Sequence, residues 1–302
     1  MRRFQRVDGS ATGASRLQKT PGLAPPPGFR LATNASIPTT CRMLFHRDLG
    51  GAGRPPLVIV HGFLGSSRNW QTAGTDLAAR FHVLAIDLRN HGRSPHAPEM
   101  TFEIMVDDLL EWMDAQDLAR SALLGHSLGG KVAMLLACRH PKRVERLIVV
   151  DVAPKAYPGM AQRAEVAAMN ELRLEGLHSR AEAEIRLESR VDDWAMRKFL
   201  LTNLERTADG GWRWIINLPV LTQALPGLVK DPLLPADRYD GPTEFILGGR
   251  SRFVDVADHE AIRRHFPAAR IRVMPESGHN PHLDAREAFV RAVLDEAASG
   301  AS

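Results

Sequence analysis

The sequence predicts an α/β fold in which a mostly parallel sheet is covered by helices on both faces. Short continuous apolar runs, such as residues 57–60 and 83–86, are typical of strands buried on both sides. Segments with helical spacing of apolar residues follow most of these runs, and this alternation favours parallel strand order. The alternation stops over residues 155–235 and then resumes, which indicates an insertion into the sheet-forming part of the chain.

Length and composition suit one large domain, or one domain that carries an insertion. The chain has 302 residues, of which 44% are hydrophobic, enough for a sizeable core. Because no run approaches the roughly 18 apolar residues that a membrane span needs, we expect no membrane span. The two cysteines, Cys41 and Cys138, do not suggest a disulfide framework.

The surplus positive charge is concentrated in residues 1–40. The net charge is +4, yet this segment alone holds six basic residues against one acidic residue. The remaining chain is close to neutral, so we expect no nucleic-acid partner. The segment is rich in Gly, Ser, Thr, Ala and Pro and has no hydrophobic period, which predicts a disordered N-terminal extension. We expect a cytoplasmic protein, with an organelle as the alternative, because the composition also fits a transit peptide.

The α/β core is predicted in two parts, residues 41–154 and 236–298. In the first part, strands are expected at residues 42–47, 57–60, 83–86, 122–125 and 144–150, and helices at residues 67–80, 103–115 and 131–137. In the second part, strands are expected at residues 243–247 and 270–274, and helices at residues 256–265 and 281–297. Between the two parts, residues 155–235 are predicted to form a helical cap. Its aromatic and apolar residues, among them Trp194 and Phe199, are expected to pack the cap, and some are candidates to line an acyl pocket.

A G-x-S-x-G pattern lies where the strand at 122–125 passes into the next helix. The residues are Gly125-His126-Ser127-Leu128-Gly129, and the pattern is that of a nucleophile elbow. Glycines without Cβ atoms allow the strand and the helix to approach each other around the serine. The N-terminal amides of the helix point to the place where negative charge develops on an attacked carbonyl. Ser127 is therefore the candidate nucleophile.

A second glycine-bearing loop, His61-Gly62-Phe63, follows the strand at 57–60. A loop in this place supplies the second donor of an oxyanion hole when the strand is central in the sheet. The sequence therefore predicts that the backbone N–H groups of Phe63 and Leu128 form the oxyanion hole.

A serine nucleophile needs a base, and the base needs an acid that holds it in one tautomer. His279, in a loop after the last strand, is the candidate base, and His282, which enters the final helix, is the competitor. Two carboxylates are candidates for the acid. Asp151 ends the strand at 144–150, whereas Asp255 follows the strand after the cap, four residues beyond Ser251, which stands where such an acid usually falls.

Several further motifs lie along residues 42–297. They are HGFLGS (61–66), D-x-R-N-H-G-x-S (87–94), GHSLGGKVAM (125–134), VVDVAP (149–154), FLLTNL (199–204), WRW–INL (212–218), GGRSRFV (248–254) and GHNPH (278–282). With these motifs the sequence resembles the α/β-hydrolase superfamily, and within it the YbfF-type bacterial esterases and their mitochondrial abhydrolase relatives. The resemblance implies that the aspartate of VVDVAP, Asp151, is the triad acid, and it leads us to expect an aromatic residue after the histidine of GHNPH, where this sequence has Asn280.

These observations predict a serine hydrolase that cleaves carboxylic (acyl) esters through an acyl-enzyme intermediate. The expected partner is a small-molecule acyl ester or thioester, and no cofactor and no metal are expected, since neither a metal-ligand cluster nor a nucleotide-binding glycine motif is found. Three alternatives stay open. They are an acyl thioesterase, a C–C bond hydrolase or cofactor-free haloperoxidase that uses the same triad, and a non-catalytic partner-binding protein of this fold.

Overall fold

The structure is a computed structural model that describes residues 43–161 and 163–299, with side chains described up to Asp295. The predicted N-terminal extension, residues 1–40, lies outside the described residues. The described strands form a seven-stranded sheet and a separate two-stranded sheet. Among the described residues, no helix combines the length and the apolar character that crossing a membrane requires.

The strands of the large sheet run in the order β1-β3-β2-β4-β5-β8-β9. Their bounds are β1 His46–Asp48, β2 Pro56–Val60, β3 His82–Ile86, β4 Ser121–His126, β5 Val144–Val150, β8 Thr243–Gly248 and β9 Ala269–Met274. Strand β1 pairs antiparallel with β3, and the other pairs are parallel. The prediction of a mostly parallel sheet is confirmed.

The central strands are buried on both faces, as their apolar runs predict. In β2, Val58 and Val60 face one hydrophobic cluster, whereas Leu57 and Ile59 face another, because successive side chains of a strand point to opposite sides. The first cluster contains residues of helices α2 (Phe102–Ala115) and α3 (Leu128–Arg139). The second contains residues of α1 (Gln71–Leu77) and α10 (Arg286–Ser299). Helices therefore cover both faces of the sheet.

Between β5 and β8, the described residues form four α-helices and two short strands. The helices are α4 Ala164–Glu171, α5 Arg180–Glu188, α6 Trp194–Leu201 and α7 Leu218–Leu228, and the strands, which pair antiparallel, are β6 Leu204–Arg206 and β7 Trp212–Trp214. The segment that was predicted as a helical cap thus contains this short hairpin beside its helices. Three-residue strands are too short to show an alternating pattern, although Asp209-Gly210, with Gly210 at φ +85°, is a typical hairpin-turn signal.

Helices α8 (His259–His265) and α9 (Pro281–Asp284) flank β9, and the predicted final helix is divided at Ala285 into α9 and α10. Parallel pairing aligns the carboxyl ends of the central strands. Gly125 of β4 pairs with Val60 of β2, and Val150 of β5 pairs with Ile246 of β8. The loops that follow β2, β4, β5 and β8 therefore leave the sheet at one edge, where open α/β sheets bind their ligands.

Candidate active site

Ser127 occupies a sharp turn between β4 and α3. Its φ and ψ angles are +52° and −115°, a conformation that L-residues rarely adopt, and its N–H donates to the carbonyl of Val150 at 3.0 Å. A Cβ atom on Gly125 would lie 2.3 Å from the carbonyl oxygen of Gly129, and a Cβ atom on Gly129 would lie 2.3 Å from that of Val60. Both glycines are therefore required by space, as the elbow pattern predicts.

His279 lies in the loop between β9 and α9, and its side chain pairs with Asp151. The distance from His279 Nδ1 to Asp151 Oδ2 is 2.7 Å, and the Asp151 side chain is fully buried. Because a carboxylate only accepts hydrogen bonds, the imidazole donates from Nδ1, so that in the neutral ring Nε2 carries no proton and can accept one. The structure thus joins the candidate base to one of the two candidate acids.

Two further groups hold the Asp151 carboxylate. The backbone N–H of Gly248 donates to Oδ1 at 2.8 Å, and the hydroxyl of Ser251 donates to Oδ2 at 2.5 Å. Asp151 itself directly follows β5 and has φ +50°, a conformation outside the extended region, so the strand ends there. Ser251 stands at the position where a triad acid usually falls. Its hydroxyl instead contacts the carboxylate of Asp151, which follows the neighbouring strand β5.

The other two candidates have different surroundings. Asp255 is exposed and begins the 3₁₀ turn Val256–Asp258, where its N–H donates to the Asp258 carboxylate at 2.8 Å. His282 is buried and stacks on Trp70, with ring centroids 4.0 Å apart and planes 13° apart. Burial lowers the pKa of His282 to about 3. The structure therefore places Asp255 in a helix cap and His282 in a ring stack, and neither of them in the His279–Asp151 pair.

The imidazole of His279 is also held by an aromatic ring that the sequence reasoning missed. The ring of Phe253 stacks on it, with centroids 3.6 Å apart and planes 14° apart. On the chain itself, the carbonyl of His279 is hydrogen-bonded to Nε2 of His126 at 2.8 Å. Phe253 belongs to the GGRSRFV motif, so the signal was present in the sequence, but the motif alone does not tell which side chain reaches the histidine.

The two predicted oxyanion donors lie beside the serine. Phe63 and Leu128 line the same cavity as Ser127, and a Cβ atom on Gly62 would lie 3.3 Å from the Cβ atom of Ser127. Within the described part of the chain, the N–H groups of Phe63 and Leu128 donate to no other group. Both donors are therefore available to a ligand at Ser127.

Two groups hold the peptide that carries the Phe63 N–H. One is the N–H of Gly65, which donates to the carbonyl of Gly62 at 3.0 Å, and the other is His61. Its Nε2 accepts the N–H of Leu88 at 3.0 Å, so the ring proton is on Nδ1, which lies 2.7 Å from the carbonyl oxygen of Gly62. Complete burial lowers the pKa of His61 to about 4, which keeps the ring neutral. Because a peptide is planar, fixing the carbonyl of Gly62 also fixes the direction of the Phe63 N–H.

The next residue of this loop is tied from two sides. Leu64 has φ +61°, and its N–H donates to His91 Nε2 at 3.2 Å. Its carbonyl accepts from the Asn203 side chain at 2.8 Å, and Asn203 lies in the inserted segment. The other ring nitrogen of His91 bonds to the carbonyl of Arg89 at 3.0 Å, and burial lowers the pKa of His91 to about 3. The loop is thus held between the core and the insertion.

Two cavities meet at Ser127, and Phe63 and Arg163 line both of them. The first, of about 440 Å³, we call the apolar cavity; its other lining residues include Val152, Leu225, Leu228, Val229 and Phe253. The second, of about 910 Å³, we call the histidine cleft; its other lining residues include His61, His126, His279 and His282. His279 therefore faces the histidine cleft.

Comparison with known proteins agrees with this architecture. Residues 55–286 match the family model described as alpha/beta hydrolase fold. Among curated proteins, the chain is 40% identical over 251 residues to the mouse "sn-1-specific diacylglycerol lipase ABHD11", covering 81% of each chain. It is 33% identical over 238 residues to "Esterase YbfF" of Escherichia coli K12, covering 79% of this chain and 91% of that protein.

A solved structure described as "Marine microorganism esterase" is 34% identical to the chain and superposes with a TM-score of 0.81. The match covers 84% of this chain and 98% of the other. The family model covers most of the sheet, both glycine loops and the histidine loop, and the sequence resemblance to this superfamily is confirmed. The chain belongs to the alpha/beta hydrolase fold family.

Proposed function

We propose that the chain is a serine esterase that cleaves carboxylic (acyl) esters through an acyl-enzyme intermediate. In this proposal Ser127 is the nucleophile, His279 the base and Asp151 the acid. The observation that carries it is the 2.7 Å contact between His279 Nδ1 and Asp151 Oδ2, beside an elbow serine that lines the same cleft as His279. The arrangement is the one that activates an otherwise weak hydroxyl nucleophile.

The chemistry follows from the tautomer of the histidine. With its Nδ1 proton directed to Asp151, the ring uses Nε2 to take the Ser127 proton as the hydroxyl attacks the acyl carbonyl. The buried carboxylate stabilises the imidazolium that forms. The same ring then delivers the proton to the leaving alcohol, and a water molecule repeats the sequence to release the acid.

The negative charge that develops on the carbonyl oxygen is assigned to the two backbone donors. The N–H groups of Phe63 and Leu128 are free of other described partners and line one cavity with Ser127. Leu128 is also the first residue of α3, whose N-terminal dipole favours negative charge. Donors that are held in place before the reaction stabilise the tetrahedral intermediate without reorganisation.

The chain is a carboxylic ester hydrolase, the class to which the relatives named esterase and lipase belong. We further propose that residues 41–154 and 236–298 form the catalytic core and that residues 155–235 form a cap over it. Residues of both parts line the apolar cavity, which supports this division. A thioester would form the same acyl-enzyme, so thioesters belong in the substrate test.

The test is covalent labelling combined with turnover. Fluorophosphonate treatment followed by peptide mapping should place the adduct on Ser127, and Ser127→Ala should lose both the adduct and the hydrolysis of p-nitrophenyl esters and acyl-CoA thioesters. Ser189→Ala, which changes an exposed serine of the inserted segment, is the matched control and should behave like the wild type. Labelling of Ser127→Ala at the wild-type rate would disprove the proposal.

A further inference from the structure

We infer that the apolar cavity receives the acyl chain of the substrate and that the histidine cleft receives its leaving group. This inference rests on the proposed function. Each cavity then binds one half of the ester, and the linings of the two cavities together indicate which class of ester fits the site. The two cavities share Ser127, Phe63 and Arg163 but otherwise have different linings.

The assignment follows from the geometry of the tetrahedral intermediate. Its central carbon carries the serine oxygen, the oxyanion, the leaving oxygen and the acyl chain. The leaving oxygen must come within hydrogen-bond reach of His279, since that ring supplies its proton. His279 is among the residues that line the histidine cleft and is not among those that line the apolar cavity. The leaving group therefore extends into the histidine cleft.

The acyl chain is the substituent of the central carbon that is still to be placed, and the apolar cavity is the space that remains for it. The oxyanion faces the N–H groups of Phe63 and Leu128, and Leu128 lines the apolar cavity beside Ser127. The cavity continues between the core residue Val152 and the end of α7, where Leu225 and Leu228 are buried. Such a lining takes up an apolar chain by the hydrophobic effect and offers little to a polar alcohol.

Lys131 limits the chain that this cavity accepts. Its side chain is 3% exposed and lines the cavity one helical turn after Ser127. Its Nζ atom donates to the carbonyl of Lys230 at 2.5 Å and lies 4.8 Å from the ring centre of Tyr157. An acyl chain that grew into these contacts would strip a buried ammonium group of its partners, which is costly. The cavity therefore suits short acyl chains.

The histidine cleft is larger and has a mixed lining. Its volume is about twice that of the apolar cavity, at about 910 Å³ against 440 Å³. Polar side chains, among them Asn69, Asp193, Asn280 and Asp284, line it together with the histidines, but most of the lining surface is apolar and comes from residues such as Trp70, Met196, Phe199 and Leu283. The class of substrate that fits both cavities is an ester of a short apolar acid with a larger alcohol that carries apolar and polar groups.

The experiment varies each half of the ester separately and compares two pairs of variants. p-Nitrophenyl acetate, butyrate and octanoate vary the acyl chain, and methyl butyrate and glyceryl monobutyrate vary the alcohol. Leu228→Ala enlarges the apolar cavity and Leu228→Phe narrows it, whereas Met196→Trp narrows the histidine cleft and Met196→Ala enlarges it. The measured quantities are kcat/KM and the melting temperature of each variant.

In the wild type, kcat/KM should be higher for butyrate than for octanoate, and higher for the glyceryl ester than for the methyl ester. Leu228→Ala should raise the octanoate-to-butyrate ratio about tenfold, and Leu228→Phe should lower it, with the ratio between the two alcohols unchanged. Met196→Trp should lower the glyceryl-to-methyl ratio by a similar factor and leave the acyl ratio unchanged. If one variant of a pair fails to fold, the other, which changes the volume in the opposite direction, still decides the assignment.

The opposite crossing, in which the Leu228 variants change the alcohol ratio and the Met196 variants the acyl ratio, would overturn the assignment. A wild type that prefers octanoate would overturn the limit set by Lys131. Fluorophosphonate labelling of Ser127 in every variant separates these failures from a failure of the proposed function. If labelling persists, the triad proposal stands and only the cavity assignment falls.

Discussion

The hydroxyl group of Ser251 donates a hydrogen bond to the carboxylate of Asp151 at 2.5 Å, across 100 residues of sequence. Ser251 follows β8, whereas Asp151 follows β5, and the two strands are neighbours in the sheet. Both residues therefore point to one place, next to His279, from adjacent strand ends. We therefore expect that a carboxylate at position 251, at the end of β8, could contact the imidazole of His279 in place of Asp151.

The first prediction separates the two candidate acids. Asp151→Asn should lower turnover by about 10⁴, because the histidine loses the partner that fixes its tautomer and stabilises its cation. Asp255→Asn should leave both stability and turnover near the wild-type values, because asparagine caps a helix about as well as aspartate and the backbone N–H of residue 255 keeps its bond to Asp258. Steady-state kinetics and thermal unfolding of both variants give the answer. Equal losses of turnover in the two variants would refute the assignment of Asp151.

The second prediction moves the acid to the neighbouring strand. In Asp151→Asn, the additional change Ser251→Asp places a carboxylate at the position from which the serine now contacts residue 151. The double variant should regain on the order of tenfold in turnover over Asp151→Asn, since a carboxylate is again available to the imidazole. Ser251→Asn in the same background is the control, because it has the size of the aspartate without its charge. If turnover recovers with both Ser251→Asp and Ser251→Asn, or with neither of them, a carboxylate at position 251 does not replace that of Asp151.

Much of the candidate site could be predicted because its residues belong to short patterns of neighbouring residues in the sequence. The elbow around Ser127 requires two glycines at fixed spacing, and the structure shows that neither position has room for a Cβ atom. The loop that contains Phe63 follows a buried strand directly. Once Ser127 was the candidate nucleophile, few histidines and carboxylates remained at strand ends as candidates for the base and the acid, and Asp151 at the end of β5 was one of them.

The supporting contacts could not be predicted, because they join residues that are far apart in sequence. His61 binds the N–H of Leu88, 27 residues away, and Asn203 binds the carbonyl of Leu64, 139 residues away. A lone histidine or asparagine in a loop carries no signal for such a partner. Likewise, the motif that contains Phe253 does not reveal that its ring stacks on the imidazole of His279.

The third prediction concerns the peptide that bears one oxyanion donor. His61→Ala removes one of the two donors to the carbonyl of Gly62 and leaves the N–H of Gly65, so the direction of the Phe63 N–H is fixed less firmly. We expect kcat to fall by about tenfold, less than the roughly 10²-fold cost of losing an oxyanion donor outright, while KM changes little. His61→Asn keeps a donor near the place of Nδ1 and should lose less. His178→Ala, an exposed histidine of the inserted segment, is the matched control.

Affinity for a trifluoromethyl ketone inhibitor tests this role further. The ketone forms a tetrahedral adduct on Ser127, and its oxyanion needs the same two donors as the reaction. The affinity of His61→Ala for the ketone should therefore fall in parallel with kcat, at unchanged substrate KM. A rise in KM with unchanged kcat would show that His61 serves substrate binding and not the oxyanion.

The last prediction concerns acid unfolding and follows from the depressed pKa of a buried histidine. The pKa of His282 is about 3 in the folded protein, against an ordinary value of 6.5, because the ring is buried against Trp70. Between these two values the unfolded chain binds a proton that the folded chain refuses. The free energy of unfolding therefore falls as the pH is lowered below 6.5, by at most about 1.4 kcal/mol per pH unit from this residue.

His282→Phe should remove that contribution while keeping a flat ring on Trp70. The substitution leaves no described hydrogen bond broken, since Nδ1 of His282 has no partner among the described residues. Denaturant unfolding at pH 8, 7, 6, 5 and 4 should show a shallower loss of stability below pH 6.5 for the variant than for the wild type, while the difference between the two stays constant above pH 7. His178→Phe, at an exposed position, should keep the wild-type slope. Parallel curves for His282→Phe and the wild type would mean that His282 takes up its proton without unfolding, and that its burial does not set the acid limit of the fold.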